Sequence, residues 1–129
     1  MRFAGYAAIF DRIDKGGDII RPGAFGSLKE GQELPLLWQH DPGQRIGSVT
    51  YAQEDRRGLR VIGNLSLARK TGRAAAAMLA NGAVDGLSFG YRVKRCDGSK
   101  PRILLDLDIA EISLVSFPMQ SAAKIHMIA

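Results

Sequence analysis

A serine between two glycines is the residue in this chain whose setting best suits covalent chemistry. Ser88 lies at the centre of residues 86–90, in a run that alternates like a β-strand, on the face opposite the large apolar side chains. Glycine weakens a strand and often marks a close approach by a ligand or another backbone. The pattern favours Ser88 as a nucleophile, with Gly86 and Gly90 leaving room for a substrate cleft. The alternative interpretation is a tight turn or barrel corner in which the serine has no chemical role.

A serine hydroxyl needs an adjacent base, usually a histidine, which a third group then orients. The chain has two histidines, His40 and His126. His40 ends an apolar strand pattern just before a turn, where its side chain could reach a cleft, although a structural histidine at the sheet rim would look the same. His126 lies close to the C-terminus, where an exposed histidine is the usual case. We therefore predict His40 as the general base.

The third group must accept a hydrogen bond from the histidine, and Glu111 is the best candidate. A carboxylate on an otherwise apolar strand face is costly unless it has a partner. A histidine would serve as that partner, and so would an arginine, which leaves a purely structural ion pair open. Strand alternation places Asp106 and Asp108 on the face that is predicted to be exposed to solvent. If the strand continues through Asp41, alternation makes Asp41 point to the face opposite His40.

The spacing around Ser88 also matches the Gly-x-Ser-x-Gly nucleophile elbow of α/β-hydrolases. That elbow requires a strand, a sharp turn and then a helix, with the acid and the histidine following the serine. Here the predicted helix precedes Ser88, and the only downstream histidine is His126. The order of elements therefore disfavours this interpretation.

The elements that must position these residues are mostly short strands. One helix is predicted over residues 73–80, with Thr71 as its N-cap and a stop at Asn81-Gly82. Residues 24–29 are interpreted as a short helix, and residues 120–129 as a last helical turn or a loose tail. Turns are predicted between the strands, one of them over residues 41–44. The predicted strands cover residues 2–10, 18–20, 34–40, 46–51, 59–67, 86–93 and 103–117.

The last of these strands has one apolar face that runs from Ile103 to Phe117. Beyond Ala110 the other face is apolar as well, which a bulge near Ala110 would explain. Many short strands and a single clear helix indicate a mainly β, α+β fold. We expect one domain over residues 1–129, a closed or nearly closed β-barrel with a few helices packed outside.

The composition is that of an ordinary globular domain of 129 residues, with 46% hydrophobic and 24% charged residues. The net charge is +5, but the basic residues are scattered and lack interleaved aromatics, which disfavours specific nucleic-acid binding. The single cysteine, Cys96, has no partner for a disulfide and no ligands at metal spacing. No apolar run could span a bilayer and no secretion signal opens the chain, so a reducing, intracellular setting is expected.

Four blocks of sequence together resemble the HK97-type phage prohead proteases, serine proteases related in fold to the herpesvirus assemblins. Each block alone is weak, but the four run in the family's order and span nearly the whole chain, which makes the combination specific. The matching residues are 5–10 with 18 and 22–25, 36–42 with 46–47, 86–91, and 111–118.

The resemblance implies a serine endopeptidase that works inside the assembling procapsid in the bacterial host cytoplasm. Such enzymes cleave scaffold or the N-terminal scaffolding segment of the major capsid protein, and also themselves. By position, Ser88 would be the nucleophile and His40 the general base. Glu111 matches the third member, whose chemistry varies across this fold group. A homodimer or higher homo-oligomer is expected, without cofactor, metal, specific nucleic acid or membrane.

Two other functions fit the same residues. The first is a capsid- or scaffold-binding protein that has kept the fold without turnover, and the second is a small serine esterase. Members of the family often carry more chain at one or both ends, so we expect this chain to be a short version or a trimmed core. Dimer contacts made by such segments would then be absent.

Overall fold

The computed structural model describes residues 1–129 as eight strands and one helix. No helix in the structure has the length and apolar character needed to cross a membrane. The elements are β1 (Arg2–Ile9), β2 (Asp18–Ile20), β3 (Leu34–Trp38), β4 (Asp41–Glu54), β5 (Gly58–Leu65), α1 (Lys70–Ala80), β6 (Gly86–Asp97), β7 (Arg102–Val115) and β8 (Ile125–Ile128).

All eight strands belong to one sheet, in the order β2-β7-β3-β4-β5-β1-β8, with β6 also paired to β7. Strand β7 is the hub of this sheet. It pairs in parallel with β2 at one end and with β3 at the other, and in antiparallel fashion with β6 along its length. The elements predicted to carry the nucleophile, the base and the third group are therefore neighbours in space.

Strand β6 meets the segment just before β8 only at an isolated bridge between Gly86 and Lys124. Two backbone hydrogen bonds flank it, from Leu87 N to Ala123 O at 2.9 Å and from Ile125 N to Asp85 O at 2.8 Å. The structure confirms a mostly β fold with few helices. It does not confirm the predicted closed barrel, because no continuous ladder joins the two ends of the sheet.

A bulge in β7 divides its two halves, as predicted. Gly90 pairs with Glu111 and Tyr91 pairs with Ile109, which leaves Ala110 as the extra residue. The predicted apolar face that continues to Phe117 is wrong, because β7 ends at Val115 and Phe117 is 86% exposed. The bulge allows Ile109 to face the core on one side of it and Glu111 to reach the site on the other.

The predicted helix is present but begins earlier, at Lys70, and its N-cap is not Thr71. The N-cap position is Arg69, which makes no side-chain capping hydrogen bond, and Thr71 Oγ1 instead donates to Arg45 O at 2.8 Å. The predicted stop is confirmed, since Gly82 has a φ of +79° directly after the C-cap Asn81. The threonine therefore anchors the helix to β4 instead of capping it.

Two predictions outside the sheet core are wrong. Residues 24–27 form turns and residues 28–29 have no regular structure, so the predicted short helix over 24–29 is absent. The C-terminal residues form β8 on the edge of β1, where Arg2 and Ala129 exchange backbone hydrogen bonds of 3.0 and 2.8 Å. The buried Gln120 fixes the approach to this strand, because its side-chain amide bonds both the N–H and the C=O of Ile9. The tail is therefore held by pairing that local sequence does not reveal.

Candidate active site

The turn that carries His40 differs from the predicted one. Strand β3 ends at Trp38, which pairs with Asp41, so the hairpin turns over only Gln39 and His40. Their φ values are +51° and +61°, as a type I′ turn requires at both central positions. Asparagine and glycine normally fill such turns, and residues with long side chains are strained there. The predicted turn at residues 41–44 is wrong, because that stretch already belongs to β4.

Strand β7 and the residue beyond it hold this strained turn in place. Gln39 N donates to Leu114 O at 3.0 Å. The Gln39 amide and Ser116 form a reciprocal pair, with Nε2 donating to Oγ at 2.7 Å and Ser116 N donating to Oε1 at 3.2 Å. His40 N donates to Ser113 Oγ at 3.1 Å. Four hydrogen bonds thus hold Gln39 and His40 in a left-handed backbone conformation that neither residue type prefers.

Glu111 is directed at His40, as the sequence predicts. The distance between His40 Nδ1 and Glu111 Oε1 is 2.5 Å, and the Glu111 side chain is only 12% exposed. No arginine lies within ion-pair distance of Glu111, so the alternative arginine partner is not present. A nearly buried carboxylate binds Nδ1 of the imidazole, and Nε2 makes no hydrogen bond in the structure.

The other carboxylates considered from sequence lie elsewhere. Asp106 is 4.0 Å from Lys94, and Asp108 is 3.4 Å from Arg92, both on the solvated face that alternation predicts. Asp41 accepts a hydrogen bond from Gly43 N at 2.9 Å. None of the three carboxylates forms a hydrogen bond or ion pair with the His40 side chain.

Sequence reasoning missed a further polar residue at the site, Ser113. It is completely buried, and its Oγ donates to Glu111 Oε2 at 2.6 Å. The signal available in the sequence is that Ser113 and Glu111 are the two polar positions on the otherwise apolar face of one strand. The structure shows why both are tolerated, since each is the hydrogen-bond partner of the other.

Ser88 lies on β6 opposite Ser113, and it shares a cavity with His40. This cavity has a volume of about 90 Å³. No hydrogen bond joins the Ser88 and His40 side chains, and such bonds commonly tighten only when substrate binds. The remaining lining residues are mostly apolar, namely Ala7, Asp14, Ile20, Leu87, Phe89, Tyr91, Met119 and Gln120. Nucleophile and base candidates thus meet at a small, mainly apolar cleft.

The two glycines that flank Ser88 do not line this cavity. A Cβ on Gly86 would lie 2.7 Å from Val115 O, and one on Gly90 would lie 3.0 Å from Cγ and Cδ of Glu111 and closer still to its carboxylate. The prediction that these glycines leave room for a substrate is therefore wrong. The protein's own atoms fill the space, and Gly90 in particular makes room for the Glu111 carboxylate.

Tyr91 lines the cavity, and its surroundings favour the neutral form of its hydroxyl. Burial raises the pKa of its hydroxyl, and the nearby carboxylates of Asp18 and Asp14 raise it further. Asp18 in turn accepts two hydrogen bonds from Arg102, at 3.0 and 2.8 Å, which ties β2 to β7. The polar part of the cavity lining includes the Asp14 carboxylate as well as the Tyr91 hydroxyl.

The second histidine lies apart from this cavity. His126 is on β8 and stacks on Tyr6, with 5.9 Å between the ring centroids. The structure contains no group of three or more histidine, cysteine, aspartate or glutamate side chains placed to hold a metal ion.

Comparison with solved structures relates the fold to viral proteases. The structure of the KSHV protease in complex with a hexapeptide phosphonate inhibitor matches with a TM-score of 0.70 at 12% identity, covering 96% of this chain and 63% of that one. The varicella-zoster virus protease matches with a TM-score of 0.59 at 15% identity, covering 97% and 62%. At these identities the likeness shows a shared fold.

Comparison with known sequences identifies the family. The prohead protease of Enterobacteria phage HK97 is 32% identical over an alignment of 130 positions, which covers 95% of this chain and 58% of that protein. The capsid polyprotein of Pseudomonas phage PAJU2 is 30% identical over 122 residues, covering 87% of this chain and 18% of the polyprotein. The chain thus spans little more than half of one relative and under a fifth of the other.

The family model described as Caudovirus prohead serine protease matches residues 1–129. The whole length of the chain is therefore accounted for by one family, and its fold is the one found in the two herpesvirus proteases. The chain belongs to the prohead serine protease family of the tailed phages.

Proposed function

We propose that this chain is a serine endopeptidase of capsid maturation, with Ser88 as nucleophile, His40 as general base and Glu111 as the residue that orients His40. One observation carries the proposal. In a chain that belongs to this family, the His40–Glu111 pair and Ser88 converge on the same cavity although 23 to 71 residues separate them in sequence.

The proposed reaction is acyl transfer in two steps. Glu111 holds Nδ1 of His40 protonated, so Nε2 is the nitrogen that accepts the Ser88 proton as the hydroxyl attacks a peptide carbonyl. His40 then gives this proton to the leaving amine, and the acyl group stays on Ser88 Oγ. A water molecule repeats the attack with His40 again as base, which releases the acid and restores the serine.

The proposed substrates are scaffold or the N-terminal scaffolding segment of the major capsid protein, together with the protease itself, inside the assembling procapsid. A relative named a capsid polyprotein, in which the matched segment is 18% of the length, supports a close link to capsid components. A homodimer or higher homo-oligomer is also proposed, since Phe117 is 86% exposed next to the site-bearing strand.

The closed barrel belongs to the same proposal. The bridge between Gly86 and Lys124 lies where β6 would have to join the C-terminal segment, and two flanking hydrogen bonds support it. Slow amide exchange at Leu87 and Ile125, as slow as in the core strands, is expected if this closure persists in solution.

The decisive experiment is co-expression with the capsid protein encoded beside this chain, read by intact mass and by labelling with a fluorophosphonate probe. Wild type and Ser99→Ala, which removes an exposed serine in the β6–β7 turn, are expected to shorten the capsid protein and to take up the probe. Ser88→Ala is expected to do neither while melting at the same temperature. Cleavage by Ser88→Ala would refute the assignment of the nucleophile.

The two other functions predict different results in this experiment. A binding protein without turnover would leave the capsid protein intact and the probe unattached in every variant. A small esterase would take up the probe and hydrolyse small esters, yet leave the capsid protein at full length.

A further inference from the structure

Ser113 binds both the Glu111 carboxylate and the backbone N–H of His40. It lies on β7 opposite Ser88 and is completely buried, in a position flanked by Ile112 and Leu114 of the core. A buried hydroxyl that only filled space would be replaced at little cost by an alanine or a small apolar residue. The hydroxyl therefore calls for an explanation in terms of its partners.

The hydrogen bonds of Ser113 determine the direction of its single proton. The ionised carboxylate of Glu111 can only accept, so the Ser113 proton points to Oε2 at 2.6 Å. The oxygen is then free to accept the backbone N–H of His40 at 3.1 Å. One hydroxyl thus fixes the carboxylate and the backbone of the residue that this carboxylate must meet.

We propose that Ser113 is a positioning residue for the reaction, which holds Glu111 Oε1 against His40 Nδ1 by binding Oε2 and the His40 main chain at once. This inference rests on the proposed function of His40 and Glu111. It goes beyond that function because it names a residue that does not line the cavity.

The strain in the turn explains why this contact is needed. His40 has a φ of +61°, which a histidine adopts only when its surroundings enforce it. Without Ser113 the His40 N–H loses its partner and Glu111 Oε2 loses its donor, so both ends of the 2.5 Å contact gain freedom. A misplacement of about 1 Å in a catalytic group can cost about 100-fold in rate.

Ser116 offers a matched control, since it directly follows β7 and binds the same turn. Its Oγ binds the Gln39 side chain at 2.7 Å, so it also holds the hairpin, but it has no hydrogen bond to Glu111 or to His40. A merely structural role for Ser113 would make Ser113→Ala and Ser116→Ala behave alike. The proposed role makes them differ at the imidazole.

The test combines proton NMR of the ring Nδ1–H of His40 with the rate of fluorophosphonate labelling. The NMR part uses the Ser88→Ala background, so that it is independent of whether the chain turns over any substrate. A proton shared with a carboxylate at this short distance is expected to resonate far downfield in Ser88→Ala alone and with Ser116→Ala added. Adding Ser113→Ala is expected to shift this resonance upfield or to broaden it beyond detection.

In the chain with Ser88 intact, Ser113→Ala is expected to react with the fluorophosphonate about tenfold to a hundredfold more slowly. This range corresponds to the loss of one hydrogen bond to a charged group. For cleavage of the capsid protein, kcat is expected to fall with KM unchanged. Ser113→Thr, which keeps the hydroxyl, is expected to retain the downfield resonance; if the added methyl prevents folding, Ser113→Ala decides the question by itself. A resonance and a labelling rate that are the same in Ser113→Ala as in the parent would overturn the proposal, whereas absent labelling in the parent would refute the proposed function alone.

Discussion

Gly90 provides the sharpest test of how the site is built, because its missing side chain makes room for Glu111. In Gly90→Ala the new Cβ would lie 3.0 Å from Cγ and Cδ of Glu111, with its Oε1 nearer still. Ordinary van der Waals contact begins at about 3.4 Å, so the carboxylate must retreat by about 1 Å. The substitution therefore acts on Glu111, the proposed orienting group, while leaving Ser88 and His40 in place.

The size of the effect follows from the two hydrogen bonds that this movement disturbs. Adding about 1 Å to the 2.5 Å contact with His40 gives a distance at which a hydrogen bond is lost, and the 2.6 Å bond from Ser113 is strained as well. Removing the orienting carboxylate of a serine triad costs about 10⁴-fold in kcat. A displaced carboxylate should cost less, and we expect a fall of about 100-fold, or about 2.7 kcal/mol in transition-state energy.

Folding should survive this change. The clash is with the end of a side chain and not with backbone, and Gly90 does not adopt a positive φ that would exclude alanine. Replacing a strand glycine also restricts the unfolded chain, which contributes about 0.5–1 kcal/mol in favour of the folded state. The melting temperature is therefore expected to stay within a few degrees of the wild-type value.

The assay is the second-order rate of fluorophosphonate labelling, measured for Gly90→Ala, Glu111→Ala and the double variant. If Gly90 acts through Glu111, the double variant should label as slowly as Glu111→Ala alone, since the carboxylate that alanine displaces is already missing. If instead the two effects multiply, Gly90 acts independently of Glu111 by leaving space for the substrate, which would refute its role in making room for the carboxylate.

Three further predictions concern the scaffold. Arg102→Ala should lower the free energy of unfolding by about 2 kcal/mol in urea titrations, more than Asp18→Asn, because it leaves the mostly buried Asp18 carboxylate without its partner. Gly72→Ala should fail to fold, or its free energy of unfolding should fall by about 3 kcal/mol, despite the better helix propensity of alanine. The reason is that the new Cβ would lie 2.8 Å from the carbonyl carbon of Ser66. Circular dichroism on heating measures this loss. Desolvation raises the pKa of Asp55, but hydrogen bonds from a tyrosine hydroxyl and two backbone amides outweigh it and hold the pKa below its usual value. Asp55→Asn should therefore be less stable than wild type at neutral pH, and this difference should vanish as the pH falls below about 4. Melting curves of the two proteins, which should converge at that low pH, measure the effect.

The sequence supplied the candidate residues of the site because each residue type carries a local signal. A serine between glycines, a histidine at the end of a strand pattern and a carboxylate on an apolar strand face are all visible without a fold. The bulge at Ala110 was also predictable, since the apolar alternation changes phase there. Strands β1, β2, β5 and β6 follow from the same short-range pattern.

The C-terminal strand could not be predicted in this way. Residues 125–128 are stabilised by pairing with β1, more than 120 residues earlier in the chain, and by the buried Gln120 that binds Ile9. Long-range pairing of this kind leaves little trace in local propensity, which favoured a loose tail.

Only the tertiary structure decided how the candidate catalytic residues are held. The left-handed turn at Gln39 and His40 contradicts local preference, and it exists because β7 supplies Leu114, Ser113 and Ser116 as partners. The sequence by itself determined which side chains are chemically able to act. The fold determined their geometry, because contacts between residues more than 70 positions apart supply the free energy that keeps a strained turn and a nearly buried carboxylate in place.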